Sequence, residues 1–127
     1  MHKENLIIVK IDLSRNQINE VALLAHAKSI RQNIVRMIAR NGQGYLQQGL
    51  GAADLFTYLY FAEALIDPLN PNWAERDRIF LSTAHNSAVF HATLAERGFF
   101  EHSRLETYTQ DGSELEINVS ERLGTVV

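Results

Sequence analysis

His85 is the residue best placed for chemistry in this 127-residue chain. It stands in Ser82-Thr83-Ala84-His85-Asn86-Ser87, directly after the apolar run Ile79-Phe80-Leu81 and before a segment of helical character. Open α/β sheets gather ligands at the carboxyl ends of their strands, and an imidazole there can donate to, accept from or exchange a proton with a ligand. A lone histidine is also a common structural residue, so position by itself supports both readings. His91 falls off the face of His85 on the following helix, and the spacing of a two-histidine metal site is absent. The second feature is the stretch 41–51, punctuated by Gly42, Gly44, Gly49 and Gly51. Such a backbone can turn tightly and approach a ligand closely, and the start of the helix after it could meet an anion. Neither the dinucleotide fingerprint nor the P-loop is matched, because no Lys-Ser/Thr pair follows the glycines; an ordinary helix–helix connection accounts for the stretch as well. Lys28, Arg31, Arg36 and Arg40 are the only charged residues between Glu20 and Asp54. They could draw an anionic partner, although a solvated helix face is the plainer reading.

The elements that must carry these residues follow from composition and periodicity. Apolar residues make up 46% of the chain and charged residues 21%, with a formal net charge of −3. This is globular composition, long enough for one domain with a core and too short for two. The mild acidity speaks against nucleic acid as a partner. No cysteine is present, which excludes disulfides, thiolate metal sites and cysteine nucleophiles. No run approaches the ~20 apolar residues that span a bilayer, and Leu6-Ile7-Ile8-Val9 is too short for a signal-peptide core, so no membrane role and a cytoplasmic location are expected.

Residues 1–15 read as an N-terminal arm. Leu23, Ala27, Ile30, Ile34 and Met37 or Ile38 recur at helical spacing, predicting an amphipathic helix over 17–40 capped by Ser14 or Asn16 and stopped by Asn41-Gly42. Lys28, Gln32, Arg36 and Arg40 fall on its opposite face. The segment Ala52–Ile66 is apolar on every side and predicts a buried helix, ended by the proline-containing loop Asp67-Pro68-Leu69-Asn70-Pro71. Ile79-Phe80-Leu81 predicts a buried strand, residues 87–97 a helix stopped by Gly98, and 101–108 a short helix. Leu115, Ile117 and Val119 alternate with polar residues in a strand-like pattern. The chain stops on Gly124-Thr-Val-Val without a polar tail, which suggests a fragment or one subunit of something larger.

Three stretches, read together, resemble the N-terminal section of transketolase and its split bacterial relatives. They are Ile30 to Met37 with Gly42-Gln43-Gly44 and Leu50-Gly51-Ala52-Ala53-Asp54; Leu59-Tyr60-Phe61 with Asp67-Pro68-Leu69-Asn70-Pro71-Asn72-Trp73; and Glu75-Arg76-Asp77-Arg78-Ile79-Phe80-Leu81-Ser82 followed by His85 and Leu94 to Phe100. Order and spacing agree from about residue 25 to residue 113. The resemblance implies an α/β fold: the N-terminal part of a thiamine diphosphate-binding domain, helix-rich with a short parallel-sheet portion, and incomplete on its own. It makes residues 1–127 one partial domain. It also implies a thiamine diphosphate enzyme that makes or breaks C–C bonds by ketol or acyl transfer on a ketose or 2-oxo acid.

Carried over by position, His85 matches the histidine of the family's Ser-x-Gly-His segment, which lies near cofactor and substrate, and Gly49 falls in the cofactor-binding stretch. Tyr45 stands where the family's Gly-His-Pro-Gly loop has a substrate-contacting histidine, and Asn118 aligns with a second one. Losing both removes donors that hold a sugar's hydroxyls, so another donor or acceptor is expected. The family's Mg²⁺ motif, Gly-Asp-Gly…Asn, has no counterpart in residues 1–127, and no metal ligand is assigned here. Thiamine diphosphate and Mg²⁺ are therefore expected only with complementary transketolase-like subunits, in a hetero-oligomer. The alternatives are a degenerate, non-catalytic scaffold or interaction module, and a truncated fragment.

Overall fold

The computed structural model describes residues 19–120 and residue 123. The expected arm over residues 1–15, the caps Ser14 and Asn16, and the apolar end from Gly124 lie outside the described residues. Three helices pack on one another: α1 over Glu20–Asn41, α2 over Leu46–Tyr58 and α3 over Ser87–Arg97. A π-helical turn, Leu59–Glu63, prolongs α2, and a 3₁₀ segment, His102–Thr107, follows α3.

The first helix forms where its apolar spacing predicts. Ala27, Ile30, Ile34 and Met37 are buried, whereas Lys28, Gln32, Arg36 and Arg40 are exposed. Asn19 is its cap, its Oδ1 accepting the Ala22 N–H at 3.2 Å. Gly42 closes it in the left-handed region (φ 69°), donating its N–H to the Ile38 carbonyl at 2.8 Å. The glycine-rich stretch is shorter as a loop than expected, because α2 begins at Leu46 and takes Gly49 and Gly51 into the helix. The expected anion site at the start of an Ala52 helix is thereby lost, since that backbone lies mid-helix. Only Gly42 and Gly44 (φ 130°) need a positive φ here. Gly49 serves packing: a Cβ there would stand 3.3 Å from Ile34 Cγ2 and 3.9 Å from the Val89 backbone N, so its absence lets the three helices close together.

The helix buried on every side is α3 rather than the expected α2. Every residue from Ser87 to Ala95 is buried. In α2, Ala53, Phe56 and Thr57 face inward, but Leu55 is 67% exposed and Tyr58 46%. Apolar character all round cannot by itself say which helix the others surround. The polar residues of α3 survive burial because each finds a partner. Thr93 Oγ1 donates to the Val89 carbonyl at 2.6 Å, the Ser87 and Tyr108 hydroxyls bond at 2.7 Å, and His91 Nε2 donates to the Glu116 carbonyl at 3.0 Å.

Polar clasps tie the helices to the connections. Glu96 near the end of α3 accepts from His26 Nδ1 (3.0 Å), Ser29 Oγ (2.8 Å) and His102 Nε2 (3.1 Å), joining α1, α3 and the 3₁₀ segment. Burial pushes the Glu96 carboxyl up, but these bonds outweigh it and hold the group below the usual carboxylate range. Asp77, centre of Arg76-Asp77-Arg78, accepts the Leu65 N–H on its carboxylate at 2.7 Å and donates its own N–H to the Leu65 carbonyl at 2.8 Å.

No strand forms among the described residues. Ile79-Phe80-Leu81, expected as a buried strand, is irregular, with Ile79 and Leu81 against the core and Phe80 83% exposed. A strand needs a neighbour to take its backbone groups, and none of the described segments provides one. The alternating 115–119 segment is likewise irregular. Leu115 turns into the core, the Thr109 N–H donates to its carbonyl, and Ser113 Oγ accepts its N–H. Among the described residues, no helix is long and apolar enough to cross a membrane.

Candidate functional site

Folding brings Tyr45 and His85 together. Tyr45 is the cap position of α2, and His85 lies in the 3₁₀ turn Ala84–Asn86 that feeds α3. Their ring centroids stand 4.5 Å apart with planes at 75°, an edge-on contact. Both side chains are solvent-exposed. The Tyr45 side chain makes no capping bond, which leaves it free for this contact.

Thr83 completes the arrangement. It is extended (φ −116°, ψ 130°) and caps the 3₁₀ turn, its Oγ1 accepting the His85 backbone N–H at 3.3 Å. The same oxygen lies 3.2 Å from His85 Nδ1. Two contacts therefore hold the imidazole, a hydroxyl at one nitrogen and an aromatic ring across its plane.

Beneath this pair lies a buried polar layer. Ser87 opens α3 and bonds Tyr108, whose ring lies 5.8 Å from that of His91. Burial raises the Tyr108 phenol above its ordinary value against the opposing Ser87 bond, and Tyr45 adds to the rise, so Tyr108 stays protonated. Burial also lowers His91 to about 4, with Arg104 acting in the same direction and Glu116 against it. A neutral His91 can only donate at Nε2, and its buried Nδ1 has no partner among the described residues. This histidine is a structural peg for the 115–120 segment.

Asn118 is exposed on an open concavity shared with Gln43, Thr109 and Glu116. No contact joins it to Tyr45 or His85 among the described residues. Gly49 is buried in the first turns of α2 with its N–H donated to the Tyr45 carbonyl at 3.0 Å. Its contribution to the geometry is the close helix approach that sets where Tyr45 stands. The roles of Thr83, Ser87 and Tyr108 escaped the sequence reading. A threonine two residues before a histidine at a helix entrance is a capping signal that could have marked Thr83, whereas the Ser87–Tyr108 pair joins positions too far apart for spacing to reveal.

An exposed imidazole beside a phenol, held from behind by a hydroxyl, suits the oxygen of a phosphate or a carbonyl, and in that respect the residues fit a diphosphate group. They do not supply its metal. Among the described residues, no group of three or more His, Cys, Asp or Glu side chains is placed to hold a metal ion.

The known proteins similar to this chain bear on the same region. Residues 24–116 match the family described as transketolase, thiamine diphosphate binding domain. An uncharacterized transketolase family protein of Sinorhizobium fredii is 37% identical over 97 residues, which are 76% of this chain and 35% of that protein. The 6-deoxy-6-sulfo-D-fructose transketolase subunit SqwG of Clostridium sp. is 34% identical over 96 residues, again 76% of this chain and 35% of the relative. The transketolase of Treponema pallidum is 39% identical over 80 residues, 63% of this chain and 12% of that protein. The chain spans about a third of the length of the first two relatives. With the match running through α1, α2, the His85 turn and α3, the chain belongs to the family of transketolase thiamine diphosphate-binding domains.

Proposed function

We propose that this chain is one part of a thiamine diphosphate-dependent, transketolase-like enzyme that makes or breaks C–C bonds by ketol or acyl transfer. Partner chains carrying the metal motif and the pyrimidine-binding domain complete it in a cytoplasmic hetero-oligomer. The observation that carries this reading is the family match over residues 24–116 in a chain spanning about a third of its relatives' length. One of those relatives is itself named as a subunit. Exposed apolar side chains supply surface for partners: Leu55, Tyr58, and Phe80 in the segment that lacks a strand neighbour. A short parallel sheet would form there once a neighbouring strand arrives.

When bound, thiamine diphosphate supplies a nucleophilic carbon and an electron sink, with Mg²⁺ from the partner's ligands neutralising its phosphates. The residues of this chain bind and orient. His85 presents its ring to a phosphate or substrate oxygen, and Tyr45 offers a phenol where relatives' sugars meet a histidine. Asn118 offers an amide on the neighbouring concavity, while Gly49 fixes the approach of α2. With Tyr45 and Asn118 in place of two imidazoles, the substrate is a ketose or 2-oxo acid other than the usual sugar phosphates.

Native mass spectrometry of the chain purified gently from its host with Mg²⁺ present tests this. Co-purification with larger chains and a mass increment for thiamine diphosphate supports the enzyme, and a bare monomer overturns it. The same two replacements favour a second reading, a non-catalytic scaffold. In an assembled complex, His85→Ala separates them: lost turnover with retained assembly supports the enzyme, and unchanged turnover removes His85 from catalysis.

A further inference from the structure

Among the described residues, the Thr83 hydroxyl is the group that hydrogen-bonds the backbone of His85 and lies beside its ring nitrogen. Its oxygen has two lone pairs and one proton. One lone pair takes the His85 backbone N–H, at 3.3 Å. Nδ1 of the same residue, 3.2 Å away, is the only other hydrogen-bonding atom in reach of Oγ1 among the described residues. The proton of the hydroxyl therefore has one acceptor among the described residues, Nδ1.

We propose that Thr83 is the positioning residue of His85, donating its hydroxyl proton to Nδ1 so that the neutral ring keeps its own proton on Nε2. The site then offers the ligand an N–H donor, which suits a phosphate or carbonyl oxygen and rejects a ligand that must itself donate. The ring cannot turn over without losing the Thr83 bond, while Tyr45 lies edge-on to it with centroids 4.5 Å apart. The relevance to a ligand rests on the proposed role of His85 at the cofactor; the Thr83 contact itself does not.

The test separates capping from donation. Thr83→Ser keeps both. Thr83→Asp keeps a strong cap for the His85 N–H but has no proton to give, so it draws the ring proton onto Nδ1 instead. Long-range ¹H–¹⁵N spectra of the full chain at mildly alkaline pH report which nitrogen is protonated, with His85→Gln assigning the signals. The unchanged signals of buried His91 report that each variant is folded. The expected result is a proton on Nε2 in the wild type and in Thr83→Ser, and on Nδ1 in Thr83→Asp. A wild-type proton on Nδ1, or a ring indifferent to Thr83→Asp, overturns the proposal. Millimolar thiamine diphosphate with Mg²⁺ is then added to the wild-type chain in its complex with the co-purified partner chains. A shift of the His85 ring signals supports the ligand role; no shift with the tautomer pattern intact sinks that role and leaves the Thr83 contact standing.

Discussion

Acidification from neutral pH to about pH 5 should destabilise the fold through His91, and replacing that one residue should remove the effect. His91 is fully buried in α3 among Phe90 and Tyr108, with Nε2 donating to the Glu116 carbonyl and Nδ1 facing no acceptor among the described residues. A second proton would be charged and desolvated, which lowers the group from 6.5 to about 4. Above pH 6.5 the imidazole is neutral in both folded and unfolded chains and contributes no pH dependence. Below it the unfolded chain takes up a proton that the native chain refuses, so stability falls as pH falls and levels off near pH 4. The full difference corresponds to about 3 kcal/mol, of which about 2 kcal/mol is lost by pH 5, where the unfolded imidazole is almost wholly protonated and the native one is not. Urea denaturation of the wild type and His91→Gln between these pH values isolates the contribution, because every other residue is common to both. Glutamine can keep a donor toward the Glu116 carbonyl and does not titrate. The gap between the two stability curves should narrow by about 2 kcal/mol on acidification. Parallel curves would refute the reasoning, since His91 would then either be protonated in the native state or reach solvent.

Two further predictions concern packing and the buried hydroxyl pair. Gly44→Ala and Gly51→Ala, from the same glycine-rich stretch, should act in opposite directions in thermal denaturation. A Cβ at Gly44 would need φ 130° and stand 2.9 Å from Ile38 Cγ1, costing roughly 2 kcal/mol or more. Gly51 is helical with open space around its Cα, so alanine there should add up to about 1 kcal/mol. Tyr108→Phe leaves the buried Ser87 hydroxyl unpaired and should cost about 1–2 kcal/mol, as should Ser87→Ala by stranding the phenol. The double variant should cost less than the sum by about 1 kcal/mol, and strict additivity in the denaturation cycle would show that the 2.7 Å contact carries no energy.

Helix α1 was legible in the residues because its period of apolar positions and its glycine stop are local properties, and its basic face is exposed. Gly98 as the end of α3 was legible for the same reason. The family likeness, and with it the thiamine diphosphate-binding domain, was carried by ordered short motifs whose match runs over residues 24–116. The residues alone misjudged what depends on neighbours. Both strand patterns, at 79–81 and 115–119, are irregular because a strand exists only with a partner for its backbone, and alternation cannot supply one. The burial of α3 rather than α2 was decided by which helix lies between the others, a matter of three-dimensional order invisible in composition. Gly49 and Gly44 look alike in sequence, yet one makes room for Ile34 and the other turns the chain. The sequence by itself thus determined helices α1 and α3 and their glycine stops, and it singled out His85 as a candidate. Only the tertiary structure decided that Tyr45 meets that histidine in addition to its local Thr83 contact, because Tyr45 caps one helix and His85 lies in a turn forty residues on, a distance that no local rule spans.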